Sequence, residues 1–138
     1  MSKAIDDLGL DTNGAIAYLQ GHPQAVSWVE AADALFLPAI CYGELRYGAL
    51  HSKKATENLA TLEAFVDLCA LLDVTRGVAE RYAEIRQSLA GKGTPIPEAD
   101  LWIAATCLEH GLAVFSEDAH FDRVPGLTRY DWTQAPAQ

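Results

Sequence analysis

Four dispersed acidic residues are the side chains of this sequence whose types and positions suggest chemistry: Asp11, Glu44, Asp100 and Asp118. No matching set of Lys or Arg accompanies these acids. If the acids converge in the fold, they would therefore repel one another and their pKa values would rise. A bound divalent cation relieves that repulsion. Ligation by oxygen atoms alone, with open positions, suits Mg²⁺ or Mn²⁺ better than zinc. The sequence has no Gly-rich phosphate loop, no Ser-His-Asp order and no paired Cys/His ligands that would indicate another kind of site.

Three of these acids also have a purely structural interpretation. Asp11 follows a predicted strand and precedes a helix, so it could simply be an N-cap. Asp100 lies in the first turn of a predicted helix, where the helix dipole favours a carboxylate. Asp118 could form an Asx turn at the end of a strand. Taken singly, none of them decides between structure and function.

The fourth acid, Glu44, lies in the middle of a predicted helix, where an exposed Glu is common. It is three or four residues from Ile40, Tyr47 and Gly48, so we expect it to share a packed stripe with them. A carboxylate on a packed stripe needs a partner or a cation. His120 is close to Asp118 and could approach a phosphate, although a loop histidine is usually only solvated.

The elements that must position these acids alternate between short apolar strands and amphipathic helices. Strands are predicted at residues 8–10, 34–37, 71–74, 112–115 and 127–130, and helices at 15–19, 23–32, 39–50, 56–70, 75–89 and 98–109. This alternation indicates an α/β fold with a parallel sheet and helices on both faces. Ligands of such sheets bind beyond the carboxyl ends of the strands, and both Asp11 and Asp118 follow a predicted strand there.

Length and composition predict one cytoplasmic domain. The chain has 138 residues, of which 50% are hydrophobic and 21% charged. It contains no apolar run of about 18 residues that could span a membrane, and acids stand where a signal peptide would need apolar residues. Three cysteines, Cys41, Cys69 and Cys107, are odd in number and far apart within helical patterns. We therefore expect buried thiols rather than disulfides or a zinc site.

The net charge of −9 argues against broad, non-specific binding to nucleic acid, which normally requires a basic surface. Two divalent cations bound among the acids would reduce this charge but leave the protein acidic. The charge thus favours a narrow substrate or a basic protein partner.

Four segments, taken together, resemble the successive motifs of VapC-type toxins of the PIN-domain family. They read LDTN at 10–13, GELRYG at 43–48, PIPEADLWIAA at 95–105 and SEDAHF at 116–121. The third motif is fairly specific, and the order and spacing of all four match over roughly residues 8–132. The resemblance implies a single α/β/α sandwich, with residues 1–132 as the PIN domain and 133–138 as a C-terminal tail.

The resemblance also implies an activity and a set of site residues. Endonucleolytic cleavage of RNA would depend on Mg²⁺ or Mn²⁺ held by Asp11, Asp100 and Asp118, with Glu44 as a ligand or a residue that orients the attacking water. The ion would lower the pKa of that water. A cognate, basic antitoxin protein would be the partner, and a homodimer is possible. Accessory residues would be Asn13 and Ser116, which orient carboxylates, and Glu98, which is equally well explained as a first-turn helix acid.

Some positions depart from the family pattern. Asp6, Asp7 and Gly9 interrupt a first strand that is usually continuously aliphatic, so a shortened or shifted strand is expected. Glu117 replaces a residue that is often basic or neutral, which counts against an RNA contact there. Two other functions stay open: a non-catalytic PIN-fold module that binds proteins, and a DNA-directed nuclease of the same fold.

Overall fold

A computed structural model describes residues 6–136 of the chain. The strands are β1 (Asp7–Leu10), β2 (Ala34–Pro38), β3 (Cys69–Leu72), β4 (Ala113–Phe115) and β5 (Arg129–Tyr130). The helices are α1 (Thr12–Leu19), α2 (Pro23–Ala31), α3 (Ala39–Leu50), α4 (Ala55–Val66), α5 (Arg76–Gly91) and α6 (Glu98–Glu109), followed by a short 3₁₀ helix at Ala119–Arg123. None of the helices in this part of the chain has the length and hydropathy required to cross a membrane.

The five strands form one sheet in the order β3-β2-β1-β4-β5, and every pairing is parallel. The α/β prediction is therefore confirmed. From β1 the chain builds the sheet outward through β2 and β3, and then returns to the other side of β1 for β4 and β5. The order thus reverses at the β1–β4 pair. In open parallel sheets such a reversal leaves a crevice at the carboxyl ends of the two strands.

The central strands are buried on both faces. Successive residues Leu8, Gly9 and Leu10 of β1 are all buried, as are Val114 and Phe115 of β4. Because neighbouring side chains point to opposite faces of a sheet, burial of consecutive residues means that helices cover both sides. The architecture is an α/β/α sandwich, as expected.

Two glycines let helices approach the central strands closely. A Cβ on Gly9 would lie 2.6 Å from Sγ of Cys107 in α6. One on Gly14 in α1 would lie 2.6 Å from both the ring and the carbonyl oxygen of Phe115. Gly9, which interrupts the aliphatic pattern of the first strand, is thus explained by the packing of α6 against β1. The strand itself is short, at four residues.

One stretch of the secondary-structure prediction is wrong. The helix predicted for residues 56–70 ends at Val66, and the strand predicted for 71–74 occupies Cys69–Leu72. The apolar run from 65 to 72 suits either structure, so periodicity does not locate the boundary. Cys69 accordingly lies in a strand and is only partly buried, unlike Cys41 and Cys107, which are fully buried helical thiols.

Candidate active site

Asp11 lies at the centre of the crevice, directly after β1. Its backbone N–H donates to the carbonyl of Phe115, which extends the β1–β4 pairing by one residue. Its backbone is extended (φ −80°, ψ 158°), and Oδ1 accepts a hydrogen bond from the N–H of Thr12 at 2.8 Å. Asp11 is therefore the N-cap of α1 as well as a residue of the cleft. The residue is only 5% exposed, and burial raises the pKa of its carboxyl to about 6.

Ser116 and Asn13 hold the second oxygen of Asp11. Ser116 follows β4 and is fully buried, and its Oγ donates to Oδ2 of Asp11 at 2.7 Å. The amide Nδ2 of Asn13 donates to the same Oδ2 at 3.1 Å and to Ser116 Oγ at 3.2 Å. These are the contacts expected of side chains that orient a carboxylate, and they join positions more than 100 residues apart in the chain.

Asp100 and Asp118 join the site from α6 and from the start of the 3₁₀ helix that follows β4. Asp100 is in the first turn of α6, and its side chain is mostly buried. Burial raises the pKa of this carboxyl and the charge of Asp118 raises it further, while contact with His120 opposes the shift. Asp118 caps the 3₁₀ helix, where Oδ1 accepts the N–H of His120 at 2.9 Å. Asp118 therefore forms the Asx-type turn and is also a member of the acidic cluster.

The side chain of His120 reaches both of these acids. Its Nδ1 lies 2.8 Å from Oδ1 of Asp118 and 3.3 Å from Oδ2 of Asp100. The three residues offer ligand atoms that all lie within 4.8 Å of one another. We expected a solvated loop histidine, and the structure instead makes it a member of the cluster. The signal in the sequence was its place two residues after Asp118, within one tight turn.

Glu44 reaches the cleft from α3 and is exposed. Thr12 Oγ1 donates a hydrogen bond to its Oε1 at 2.5 Å. The prediction that Glu44 shares a packed stripe with Tyr47 is wrong, since Tyr47 is 63% exposed. Helix α3 instead buries the stripe of Cys41 and Leu45. The face that carries Glu44 is therefore open to solvent.

Electrostatic coupling links the four acids into one cluster. The charges of Asp100 and Glu44 each raise the pKa of Asp11, and those of Asp118 and Glu44 each raise the pKa of Asp100. Within residues 6–136, no Lys or Arg forms an ion pair with any of the four. A set of carboxylates that includes two with raised pKa values, Asp11 and Asp100, and that has no Lys or Arg partner in the described residues fits a divalent cation.

A family model described as "PIN domain" matches residues 9–127, which is most of the chain and includes the whole cluster. The chain belongs to the PIN-domain family. Within that family it is of the VapC type: it is 32% identical over 126 residues to the tRNA(fMet)-specific endonuclease VapC of Salmonella typhimurium, covering 89% of this chain and 96% of that protein.

Solved structures agree with this assignment of the PIN domain. A chain of the DNA-bound VapBC structure from Salmonella typhimurium superposes with a TM-score of 0.83 at 32% identity, covering 96% of this chain and 99% of that one. A chain of VapBC2 from Rickettsia felis, bound to a DNA fragment from its promoter, gives a TM-score of 0.83 at 26% identity. The match covers 91% of this chain and 98% of that one.

Trp132 is a further residue of this PIN domain that contacts the site network. Its indole Nε1 donates to Oδ1 of Asn13 at 2.8 Å, and the same oxygen accepts the N–H of Glu117 at 3.3 Å. Trp132 was not among the site residues predicted from the sequence. It follows β5 at the same edge of the sheet as Asp11 and Ser116, and that position was the available signal.

Glu98, by contrast, takes no part in the contacts of the cluster that the structure describes. It accepts a hydrogen bond from the hydroxyl of Tyr82 and pairs with Arg86 at 3.4 Å. The ring of Tyr82 stacks on Trp102, so these residues join α5 to α6. These contacts favour the interpretation of Glu98 as a first-turn helix acid over that of an accessory carboxylate.

Proposed function

We propose that this PIN domain is a Mg²⁺- or Mn²⁺-dependent endoribonuclease that acts as the toxin of a VapBC-type toxin–antitoxin pair. The observation that carries the proposal is the convergence of Asp11, Glu44, Asp100 and Asp118 at the β1–β4 crevice, where no Lys or Arg of residues 6–136 forms an ion pair with them. The names of the relatives supply the substrate class, since they are called endonuclease or ribonuclease VapC.

Asp11, Asp100 and Asp118 are the residues that would hold the cation. When bound, a divalent cation supplies positive charge that activates water and stabilises the charge that develops on the phosphate. The protein's part is to orient the carboxylates. Thr12, Ser116 and Asn13 do this for Asp11, because together their donors satisfy both of its oxygens.

Glu44 completes the cluster at its exposed side. Thr12 holds one of its oxygens, so the carboxylate is oriented although it is open to solvent. In that position it can accept a proton from the water that attacks the phosphorus, or bind the cation through water. The substitution Glu44→Gln separates these roles from a purely structural one, because the amide keeps the bond from Thr12 but accepts no proton.

The charge of the protein supports a narrow substrate and a basic partner. At a net charge of −9 the protein repels RNA at long range, so recognition of a particular RNA must come from local contacts. A basic antitoxin segment would be attracted by the same charge. Several similar solved structures are complexes that bear the name VapBC, which supports an antitoxin as the partner.

The decisive experiment compares Asp11→Asn and Asp100→Asn with the wild type on a panel of RNAs that includes tRNA(fMet), with added Mg²⁺ or Mn²⁺ and with a chelator. We expect a loss of cleavage of about a hundredfold or more in each variant, since each removes a charged ligand. Asp73→Asn, a change of the same type in an exposed loop, is the matched control and should cleave normally. Undiminished cleavage by both site variants would contradict the proposal.

The same proteins also test the two other functions, a non-catalytic binding module and a DNA-directed nuclease. A non-catalytic binding module should show no stabilisation by Mn²⁺, whereas a native state that binds the ion is stabilised in proportion to ln(1 + [L]/Kd). A DNA-directed nuclease should cleave a single- or double-stranded DNA panel and leave the RNA panel intact.

A further inference from the structure

The imidazole of His120 lies between two of the carboxylates proposed to hold the cation. We infer that Nδ1 of His120 is a ligand of the same ion, and that this nitrogen gives the site a preference for transition-metal dications such as Mn²⁺ and Co²⁺ over Mg²⁺. The inference rests on the proposed function, because it concerns the cation which that function requires.

The spacing of the three candidate ligand atoms is the first argument. Nδ1 of His120 lies 2.8 Å from Oδ1 of Asp118 and 3.3 Å from Oδ2 of Asp100. Adjacent ligands of an octahedral ion with bonds of 2.0–2.2 Å are separated by about 3 Å. Nδ1 is therefore already at about the separation from each of the two oxygens that one ion would impose, and small side-chain rotations would aim the three atoms at it.

The backbone around His120 is the second argument, because it fixes where the ring can be. The N–H of His120 donates to Asp118, which caps the 3₁₀ helix. The next residue, Phe121, is fully buried in the core and anchors that helix. A ring on a turn held at both ends in this way loses little conformational freedom when it binds an ion.

The chemistry of the nitrogen sets the expected preference. Mg²⁺ takes oxygen ligands and keeps several of its waters, so an imidazole gives it little. First-row transition dications accept imidazole, and their affinity for a given site rises from Mn²⁺ to Co²⁺. Loss of the nitrogen should therefore cost Co²⁺ more than Mn²⁺, and Mg²⁺ least.

A different role for the ring makes the opposite prediction. If His120 serves only as a cation that pairs with Asp100 and Asp118 in the metal-free protein, then any bound ion would displace it. Removing the ring would then change the affinities for Mg²⁺, Mn²⁺ and Co²⁺ by the same factor.

Calorimetric titration of the three ions into the full-length wild type and His120→Asn decides between these roles. Both proteins are titrated in the same buffer at pH 8. We expect the variant to lose about tenfold or more in Co²⁺ and Mn²⁺ affinity, and less than about twofold in Mg²⁺ affinity. His110→Asn is the matched control, since that exposed histidine is the C-cap of α6, ten residues after Asp100 and about 15 Å away. Equal changes for all three ions, or none, would overturn the inference.

Pulsed electron paramagnetic resonance of the Mn²⁺-loaded protein gives a readout that does not depend on activity. A coordinated imidazole produces a ¹⁴N coupling, which should be present in the wild type and in His110→Asn and absent in His120→Asn. A wild type that binds Mn²⁺ without this coupling refutes the inference and leaves the nuclease proposal standing if RNA is cleaved. A wild type that binds no divalent cation and cleaves no RNA refutes both.

Discussion

At the scale of single residues, burial of Asp11 opposes its ionisation. The carboxyl is almost inaccessible, and burial raises its pKa to about 6 against the hydrogen bonds from Ser116 and Thr12, which lower it. The charges of Asp100 and Glu44 add to the rise. Ionised Asp11 is unfavourable in the metal-free protein. A bound cation would relieve that unfavourable free energy, which would favour binding of the cation. This is how a strong metal site can be built at the expense of the stability of the metal-free fold.

A pH dependence of stability follows, and its sign is set by the direction of the shift. Because the folded pKa of Asp11 lies above the unfolded value of 3.8, the folded state favours the protonated form. The stability contributed by that form is fully present below about pH 4 and is lost as the pH rises through about 6. Two pKa units correspond to about 3 kcal/mol as an upper limit. We expect the free energy of unfolding, measured by urea titration in EDTA, to fall over this range.

Asp11→Asn tests the cause of that fall. The amide, like the protonated acid, carries no charge. The variant should therefore lose most of the decline between pH 4 and 6 and be more stable than the wild type at pH 7 without metal. Parallel curves for the two proteins would show that Asp11 is not the titrating group. Saturating Mn²⁺ should remove the difference by stabilising only the wild type.

At the scale of elements, the fit of α1 against β4 decides where the cluster is held. Gly14 lies in the first turns of α1, and an added Cβ would lie 2.6 Å from the carbonyl oxygen of Phe115. We expect Gly14→Ala to destabilise the fold by about 1–3 kcal/mol, since the clash is partly with backbone that cannot move away cheaply. Thermal denaturation measures the effect directly.

Gly48→Ala is the matched control for Gly14→Ala. Gly48 is also helical, in α3, but an added Cβ there meets nothing within 4 Å. The change should stabilise the protein by about 0.5–1 kcal/mol through the helix propensity of Ala. If both substitutions had the same sign, the close approach of α1 to β4 would not be what requires glycine.

The elements also show what a sequence can and cannot predict here. Most helices and strands were placed correctly because their apolar periodicity is unambiguous, and Asp11 was placed in the crevice because parallel strands end at one edge. The boundary between α4 and β3 was misplaced because an apolar run at an edge strand has no distinctive period. The exposure of Glu44 was mistaken because two stripes of α3 are apolar, and only the tertiary contacts determine which one is buried.

At the scale of the whole molecule, the site is assembled from widely separated parts of the chain. Asn13 follows β1, Ser116 follows β4 and Trp132 follows β5, and hydrogen bonds connect all three across as many as 119 positions. Such long-range hydrogen bonds are invisible to local sequence patterns, which is why Trp132 was not among the predicted site residues. The order of the parallel sheet alone brings these strand ends together.

This assembly predicts that Trp132 acts on the reaction through Asn13. The N–H of Trp132 occupies Oδ1 of Asn13, which leaves Nδ2 directed at Asp11 and Ser116. Trp132→Phe keeps an aromatic ring in the core but removes the donor, so the amide loses the contact that sets its orientation. We expect kcat for RNA cleavage to fall about tenfold and Mn²⁺ affinity to weaken in the same direction, with KM for RNA little changed.

A purely structural role for Trp132 would give a different pattern. Loss of packing alone would lower the melting temperature without changing the metal affinity of the protein that remains folded. Trp28→Phe is the matched control, because Trp28 is also buried and its Nε1 donates to a backbone carbonyl, that of Gln134, outside the site. If both variants lost the same stability and neither lost metal affinity, the orientation of Asn13 would not depend on Trp132. A drop in metal affinity confined to Trp132→Phe would show that metal binding depends on a residue that follows the last strand of the sheet, as well as on the acidic cluster.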